Sequence, residues 1–360
     1  PYSEKVYGEH KYEVLTSSRE GLQRQVDHFG TKQRHDTDGY NIIPIGYCTY
    51  RNRSDDGRFT FNINTISSNA IVSKFYPVFR FTNANSLFMS EFLNSSSRAK
   101  KKLSVLAVGT SQVVLSFEAL KAAKFDLPCK DEQDKIASFF ECLNRRIEYQ
   151  RTLVDALKKY KRGVNKQLLS QIDNSCNCRL GSVCEIVGGG TPDTLHTEYW
   201  GSSVEWFTPS EIGKTKYVSR SVRKLSDIGL NNSSAKLLPI GTVLLTTRAT
   251  LGEMSIAKRE CCTNQGFQSL IPHQDRALSE YLYYMQIIIK PWCEKYASGN
   301  TFREISKSAL SNCIIPLPDR ARQEEIVKLL SSIDTLISAE EGIAMSLSKM
   351  RHSLMQQLFI

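Results

Sequence analysis

The stretch EQDKIASFFECLNRRIEYQRTLVDALKKYKRGVNKQLL, Glu132 to Leu169, decides the architecture, because the chain carries it twice. Its counterpart, RQEEIVKLLSSIDTLISAEEGIAMSLSKMRHSLMQQLF, runs from Arg322 to Phe359. The match reaches back to Ala107 and Ala297 at one constant offset of 190 positions, without a gap. Gly109 pairs with Gly299, Ser116 with Ser306, Leu127-Pro128 with Leu317-Pro318, and Gln133 with Gln323. A duplication ending in a long helical pattern implies two similar modules that hold two partners or two half-sites at a fixed spacing.

Within the first copy, apolar residues step by three and four through Ile136, Phe140, Leu143, Ile147, Val154, Leu157, Val164 and Leu168. The second copy repeats the seam at Ile326, Leu330, Ile333, Ile337, Leu347, Leu354 and Leu358. The polar interruptions recur in place, Gln150 with Glu340 and Lys161 with Arg351. This is a heptad pattern, on helices about 55 Å long at 1.5 Å per residue. Burying the two stripes together gives an antiparallel coiled coil with a pseudo-twofold axis. The expected register puts Lys161 near Glu340 and, by symmetry, Gln150 near Arg351. The alternative is that each helix packs on its own module.

Outside the helices the pattern is α/β. Short β-rich runs such as Asn41-Ile42-Ile43-Pro44-Ile45 and Ala70-Ile71-Val72 alternate with Gly, Asn, Asp and Ser turns. Leu127-Pro128 closes the first module, since proline disfavours helix at the residue before it. The expected partition is a first module over 1–128 and a long helix over 129–171. A linker over 172–178 leads to a second module over 179–318 and a second long helix over 319–360.

A chain of 360 residues, 41% hydrophobic and 23% charged, has material for two domains with their own cores. Its net charge of +10 and pI of about 9.0 favour a polyanionic partner, most simply nucleic acid. No apolar stretch approaches the length of a membrane span, and the start at Pro1 is not a signal peptide. The lack of an initiator Met points to trimming or an internal start. The ten cysteines are scattered, as expected of a reduced, cytoplasmic protein. Cys176, Cys178 and Cys184 lack a fourth nearby zinc ligand, and adjacent Cys261-Cys262 are expected to face opposite sides of a strand.

Catalytic and cofactor patterns are missing. Gly213-Lys214-Thr215 resembles the end of a phosphate loop, but Thr208 stands where its first glycine belongs. The six histidines form no H-E-x-x-H helix, and there is no nucleophile turn. Gly188-Gly189-Gly190-Thr191-Pro192 reads as a flexible turn carrying positive φ angles, with phosphate binding as the alternative. The chain is therefore expected to have no cofactor and no enzymatic activity.

Nucleic-acid contact fits the remaining polar residues better. Thr246, Thr247 and Arg248 follow the strand-like Gly241-Thr-Val-Leu-Leu and set a guanidinium beside short hydroxyls. Arg51 and Arg53 occupy the corresponding stretch of the first module, in the basic loop Arg51–Arg58. The matched loops add Thr110 and Ser111 in one repeat and Asn300, Thr301 and Arg303 in the other. Thr191 stands beside the glycine cluster. For each, turn capping is the competing explanation.

Taken in order, these segments resemble the specificity subunit of type I restriction–modification systems over essentially the whole chain. The second half carries the resemblance in Gly189-Gly-Thr-Pro-Asp193, Trp206-Phe-Thr-Pro-Ser210, Ser233-Ser-Ala-Lys-Leu-Leu-Pro239 and Thr246-Thr-Arg-Ala-Thr-Leu-Gly252. It continues in Thr263-Asn-Gln-Gly-Phe267, Ala297-Ser-Gly-Asn-Thr-Phe302, Ile315-Pro-Leu-Pro318 and Gln356-Gln-Leu-Phe359. The first half is a more divergent variant, with Leu15-Thr-Ser-Ser18, Gly21-Leu-Gln-Arg-Gln25 and Tyr76-Pro-Val-Phe79.

The resemblance implies two target recognition domains, each reading half of a bipartite double-stranded DNA site, joined by the coiled coil. It implies docking of two modification subunits that carry adenine methyltransferase chemistry, with restriction subunits joining the assembly. The second module opens with Cys178-Arg-Leu-Gly181 and Val187-Gly-Gly-Gly-Thr191; the first has no counterpart before Tyr12, so its opening element is expected to be missing. The alternative from another class is a scaffold that binds proteins through the coiled coil and has lost DNA recognition.

Overall fold

A computed structural model describes residues 1–30, 36–110, 112–248, 250–299 and 303–359. The chain forms two compact units of mixed helix and sheet. One comprises Pro1–Thr152 with Glu341–Ile360, the other Leu153–Glu340. The two long helices, Lys130–Ser170 and Arg320–Leu358, are therefore each divided between the units. No helix among the described residues is long and apolar enough to cross a membrane.

In the first unit a five-stranded sheet contains the hairpin Glu13–Ser18 and Gly21–Arg24. A three-stranded sheet sets Cys48–Tyr50 between Phe61–Ile63 and Val78–Phe79. The helices Ser86–Ser95 and Ser97–Leu106 start where Asn85 and Ser96 accept backbone N–H groups, as short polar caps do. Their apolar faces bury Phe88, Phe92 and Leu103 against Tyr50 and Phe61. The long helices complete this core: the Phe359 ring lies 5.9 Å from Phe140 and 5.5 Å from Phe88.

The second unit repeats the plan. Its five-stranded sheet runs Cys184–Gly188, Gln268–Pro272, Val243–Leu245, Met254–Ala257 and Tyr217–Val218. A three-stranded sheet holds Trp200–Phe207 between Arg223–Leu225 and Cys261–Thr263. Cys261 joins the core with Leu238 and Phe267 while Cys262 joins Trp206 and Leu225, so neighbouring thiols do face opposite ways. Leu157, Val164 and Leu168 of the first long helix pack on the core that includes Ile326, Leu330, Ile333 and Ile337.

Within each unit the two helix segments run antiparallel, but the register differs from expectation. Lys161 pairs with Asp334, and Arg322 reaches Gln171 at 3.3 Å. In the first unit Arg351 donates to Asn144 (2.5 Å) and to Glu91 (2.6 Å). Each partner lies six positions from the residue expected, Asp334 for Glu340 and Asn144 for Gln150. A heptad pattern locates the seam but not which flanking residue a long cationic side chain reaches. The seam itself is corrected at its end: Leu358 is exposed, and Met355 and Phe359 are buried. A straight helix drifts by about 20° per heptad from a 3.5-residue repeat, which carries the buried line one position onward.

The glycine cluster is also corrected. None of Gly188, Gly189 and Gly190 has a positive φ. A Cβ on Gly189 would lie 2.0 Å from the Asn264 carbonyl oxygen, and one on Gly190 2.4 Å from the Ser234 carbonyl carbon. Close backbone approach, not turn geometry, requires glycine there.

Candidate nucleic-acid interface

Four segments far apart in the sequence meet at one edge of the second unit. After the strand Cys184–Gly188 the chain lies against 263–264, where the Gly190 N–H donates to the Thr263 carbonyl at 2.8 Å. The Trp206 indole donates to the Gly190 carbonyl at 3.0 Å. Trp200–Phe207 then ends in a single turn, Pro209–Glu211, whose Thr208 hydroxyl and backbone N–H both donate to Glu211. Thr250 donates to the Pro209 carbonyl at 3.3 Å, and the Thr247 N–H to the Gly266 carbonyl at 2.8 Å. Thr191 and Gln265 close the ring by a side-chain hydrogen bond.

This edge exposes Thr191, Ser210, Thr250 and Gln265. Thr246 and Thr247, expected as contacts, are fully buried, and that expectation is revised. The Thr246 hydroxyl bonds to the Thr250 carbonyl and accepts the Glu253 N–H at 3.0 Å, so it shapes the turn. Arg248 is half-exposed and paired with Glu304 at 2.8 Å. Arg303 is exposed and donates to the Glu294 carbonyl. Beside the edge, the Arg223 guanidinium lies 3.4 Å from the centre of the Trp200 ring. Burial pushes the Glu205 carboxyl up, but Lys224 at 2.8 Å and Ser221 outweigh it and leave the group below its ordinary range.

The first unit presents a different chemistry. Arg51, Arg53 and Arg58 line a depression of about 120 Å³ with Arg19, Ser17, Ser18, Ser54, Asp55 and Thr60. Asp56 holds the turn. Its carboxylate accepts from Ser54 (2.8 Å), the Arg58 N–H (3.2 Å) and Arg19 (2.6 Å), and these bonds hold it at about 2. Arg53–Ser54 pairs with Val113–Val114, bringing the loop of Thr110 to the same side. Gln112 donates to Asp55 at 3.1 Å, and Thr110 is exposed. Gly109 has φ +135°, a conformation that favours glycine. Ser111, Asn300 and Thr301 lie outside the described residues.

Sequence reasoning missed Arg19 and Gln265 as candidates. The hairpin signal Ser18-Arg-Glu-Gly21 was available for Arg19, since Ser18 accepts the Glu20 N–H and Gly21 has positive φ. Nothing short of the fold joins Gln265 to Thr191. Among the described residues no group of three or more His, Cys, Asp or Glu side chains is placed to hold a metal ion.

The family model "Type I restriction modification DNA specificity domain" matches residues 1–159 and again 173–349. The chain belongs to this family. It is 35% identical over 186 residues to the type I restriction enzyme MjaIX specificity subunit of Methanocaldococcus jannaschii, covering 51% of this chain and 43% of that protein. It is 26% identical over 239 residues to the EcoR124I/EcoR124II specificity subunit of Escherichia coli, covering 61% and 58%. The chain thus spans about half the length of these two relatives. Among solved structures, a chain of a type I R-M system from work on complex assembly and conformational transition is similar at TM-score 0.59 and 21% identity. That match covers 90% of this chain and 84% of the other. The type I restriction-modification S subunit from M. genitalium is similar at TM-score 0.56 and 15% identity, covering 100% and 93%. These two likenesses concern the fold.

Proposed function

We propose that this chain is the sequence-specific DNA-binding specificity subunit of a type I restriction–modification complex. Each module, taken as 1–128 and 179–318, reads one half of a bipartite asymmetric site in double-stranded DNA. The long helices form one antiparallel coiled coil that spaces the modules and positions two adenine methyltransferase subunits. Restriction subunits join through that assembly. The subunit itself acts without catalysis or cofactor, in the cytoplasm.

The convergence of four family segments on one polar edge is the observation that carries this reading. Side chains such as Thr191 and Gln265 are suited to base edges and phosphates. Arg248 and Arg303 of the same unit, and Arg51, Arg53 and Thr110 of the first unit, are further contacts proposed, each exposed or half-exposed. Docking of two identical partners is supported by the helix exteriors. Phe139 and Leu329, and Tyr160 and Met350, are exposed apolar pairs 190 positions apart.

Genome-wide mapping of methylated adenines tests the reading, comparing cells carrying the complete system with a strain lacking this gene. Loss of one bipartite motif is the expected result. Persistence of every adenine motif despite expression and assembly of all subunits would favour a protein scaffold instead.

A further inference from the structure

From the first unit we infer a built cradle for a single DNA backbone phosphate, so that the two modules contribute unequally to binding. The inference rests on reading the chain as a DNA specificity subunit. Arg19, Arg51, Arg53 and Arg58 line one small depression, together with Asp55, Ser17, Ser18, Ser54 and Thr60. Its volume of about 120 Å³ has room for a phosphate group.

The scaffold under these side chains is fixed. Asn62 donates to the Ser17 hydroxyl (2.8 Å) and the Ser18 carbonyl (2.9 Å), tying the hairpin to the strand Phe61–Ile63. Asp56 and Ser54 tie the turn between Arg53 and Arg58. The acids are occupied in this bracing, Asp56 by Arg19 and Asp55 by Gln112. Arg51 and Arg58 have no acidic partner among the described residues. Arg53 and Lys74 stand 5.9 and 5.7 Å from the centre of the Phe75 ring.

In the second unit several cations are held in ion pairs. Arg248 is paired with Glu304, Lys224 with Glu205 and Lys290 with Glu253, and its edge offers hydroxyls and an amide. A planar, always charged guanidinium that holds a phosphate bidentately reads no base through that contact. These arginines therefore supply grip and orientation in the first module, in addition to the base reading proposed for each module.

The experiment measures binding of the assembled methyltransferase complex to duplexes with and without the motif, over a range of salt concentrations. Neutralising one phosphate contact removes about 0.9 from the slope of log K against log salt. The triple substitution Arg51→Ala, Arg53→Ala and Arg58→Ala should lower the slope by about that amount. Affinity should fall by a similar factor for both duplexes, with the methylated motif unchanged. The triple Lys substitution keeps the charge and so keeps the slope, while losing affinity with the bidentate geometry; it also serves if the Ala form does not fold. A steep wild-type slope unaltered in the Ala form, or a Lys form indistinguishable from wild type in affinity, overturns the cradle alone. Absence of salt-dependent duplex binding by the wild-type complex removes the DNA-specificity reading itself.

Discussion

Gln133 and Gln323, 190 positions apart, make the same hydrogen bonds at the start of the two long helices. Each amide donates to the carbonyl of the proline five residues earlier, Pro128 at 2.9 Å and Pro318 at 3.0 Å. Each amide oxygen accepts a backbone N–H of its module, from Asn85 at 3.0 Å and Leu278 at 3.1 Å. Both side chains are buried. Gln323→Leu preserves bulk but leaves these groups unpaired inside, so the full chain should lose about 1–3 kcal/mol. Urea unfolding reads this directly, and an unchanged midpoint would show that the clamp is dispensable.

Lys161 and Asp334 are less buried, and Asp334 also accepts the Tyr284 hydroxyl at 2.6 Å. Lys216 sits at the same node, donating to Tyr284 and Ser331 at 2.9 Å, its ammonium held below the ordinary lysine range by burial. Asp334→Ala strands Lys161, while the Tyr284 hydroxyl keeps Ser331 at 3.1 Å, and should cost about 1–3 kcal/mol. The double change Lys161→Met with Asp334→Leu should recover most of that, because replacing both partners by apolar groups is often neutral. A double variant as unstable as the single one would contradict this account.

Glycines at three places should respond oppositely. Gly189→Ala and Gly190→Ala push a methyl into backbone at 2.0 and 2.4 Å and should destabilise by about 1–3 kcal/mol, as overpacking does. Gly163→Ala meets nothing within 4 Å in a helix interior. It should stabilise by about 0.5–1 kcal/mol. Thermal unfolding of the three variants tests all of this in one series.

At the second unit's edge, Gln265→Ala should relax discrimination in one half-site by about 1–3 kcal/mol per affected base pair and leave the other half-site intact. Motif mapping in cells resolves the two halves separately. Equal relaxation of both, or of neither, would argue against Gln265 as a reader.

Burial lifts the Cys262 thiol to about 11 and those of Cys184, Cys261, Cys293 and Cys313 to about 12. An unfolded thiol ionises near about 8.5. Raised folded values mean that the folded state binds more protons above that point. The contribution is whole below pH of about 8.5 and is lost as pH rises through 11 to 12. The urea midpoint should therefore fall from pH 8 to pH 10. In the native chain a thiol reagent should react first at exposed Cys129 and Cys142, and the double Ser variant should lack that fast phase.

Much of this was readable in the sequence, because repetition and heptad spacing are local signals. Ile326, Leu330, Phe140 and Ile147 are buried as the pattern requires. What failed was cross-chain geometry: no spacing rule tells Lys161 to choose Asp334 over Glu340. Likewise a Thr-Thr-Arg turn looks the same whether its hydroxyls face solvent or, as at Thr246 and Thr247, the interior. The glycine cluster was misread because glycine has two uses, and only the packing against Asn264 and Ser234 distinguishes them.

The division of each long helix between the two units has a topological consequence. Leu153–Glu340 is an insertion within the sequence of the other unit, which holds both chain ends. A single protease cut at exposed Asn174-Ser175 would yield two fragments that each contribute a helix to both units. Such a nicked chain should run as two bands under denaturing conditions yet elute as one species in native buffer. The chain is woven, not strung: removing either unit takes two breaks, both inside helices.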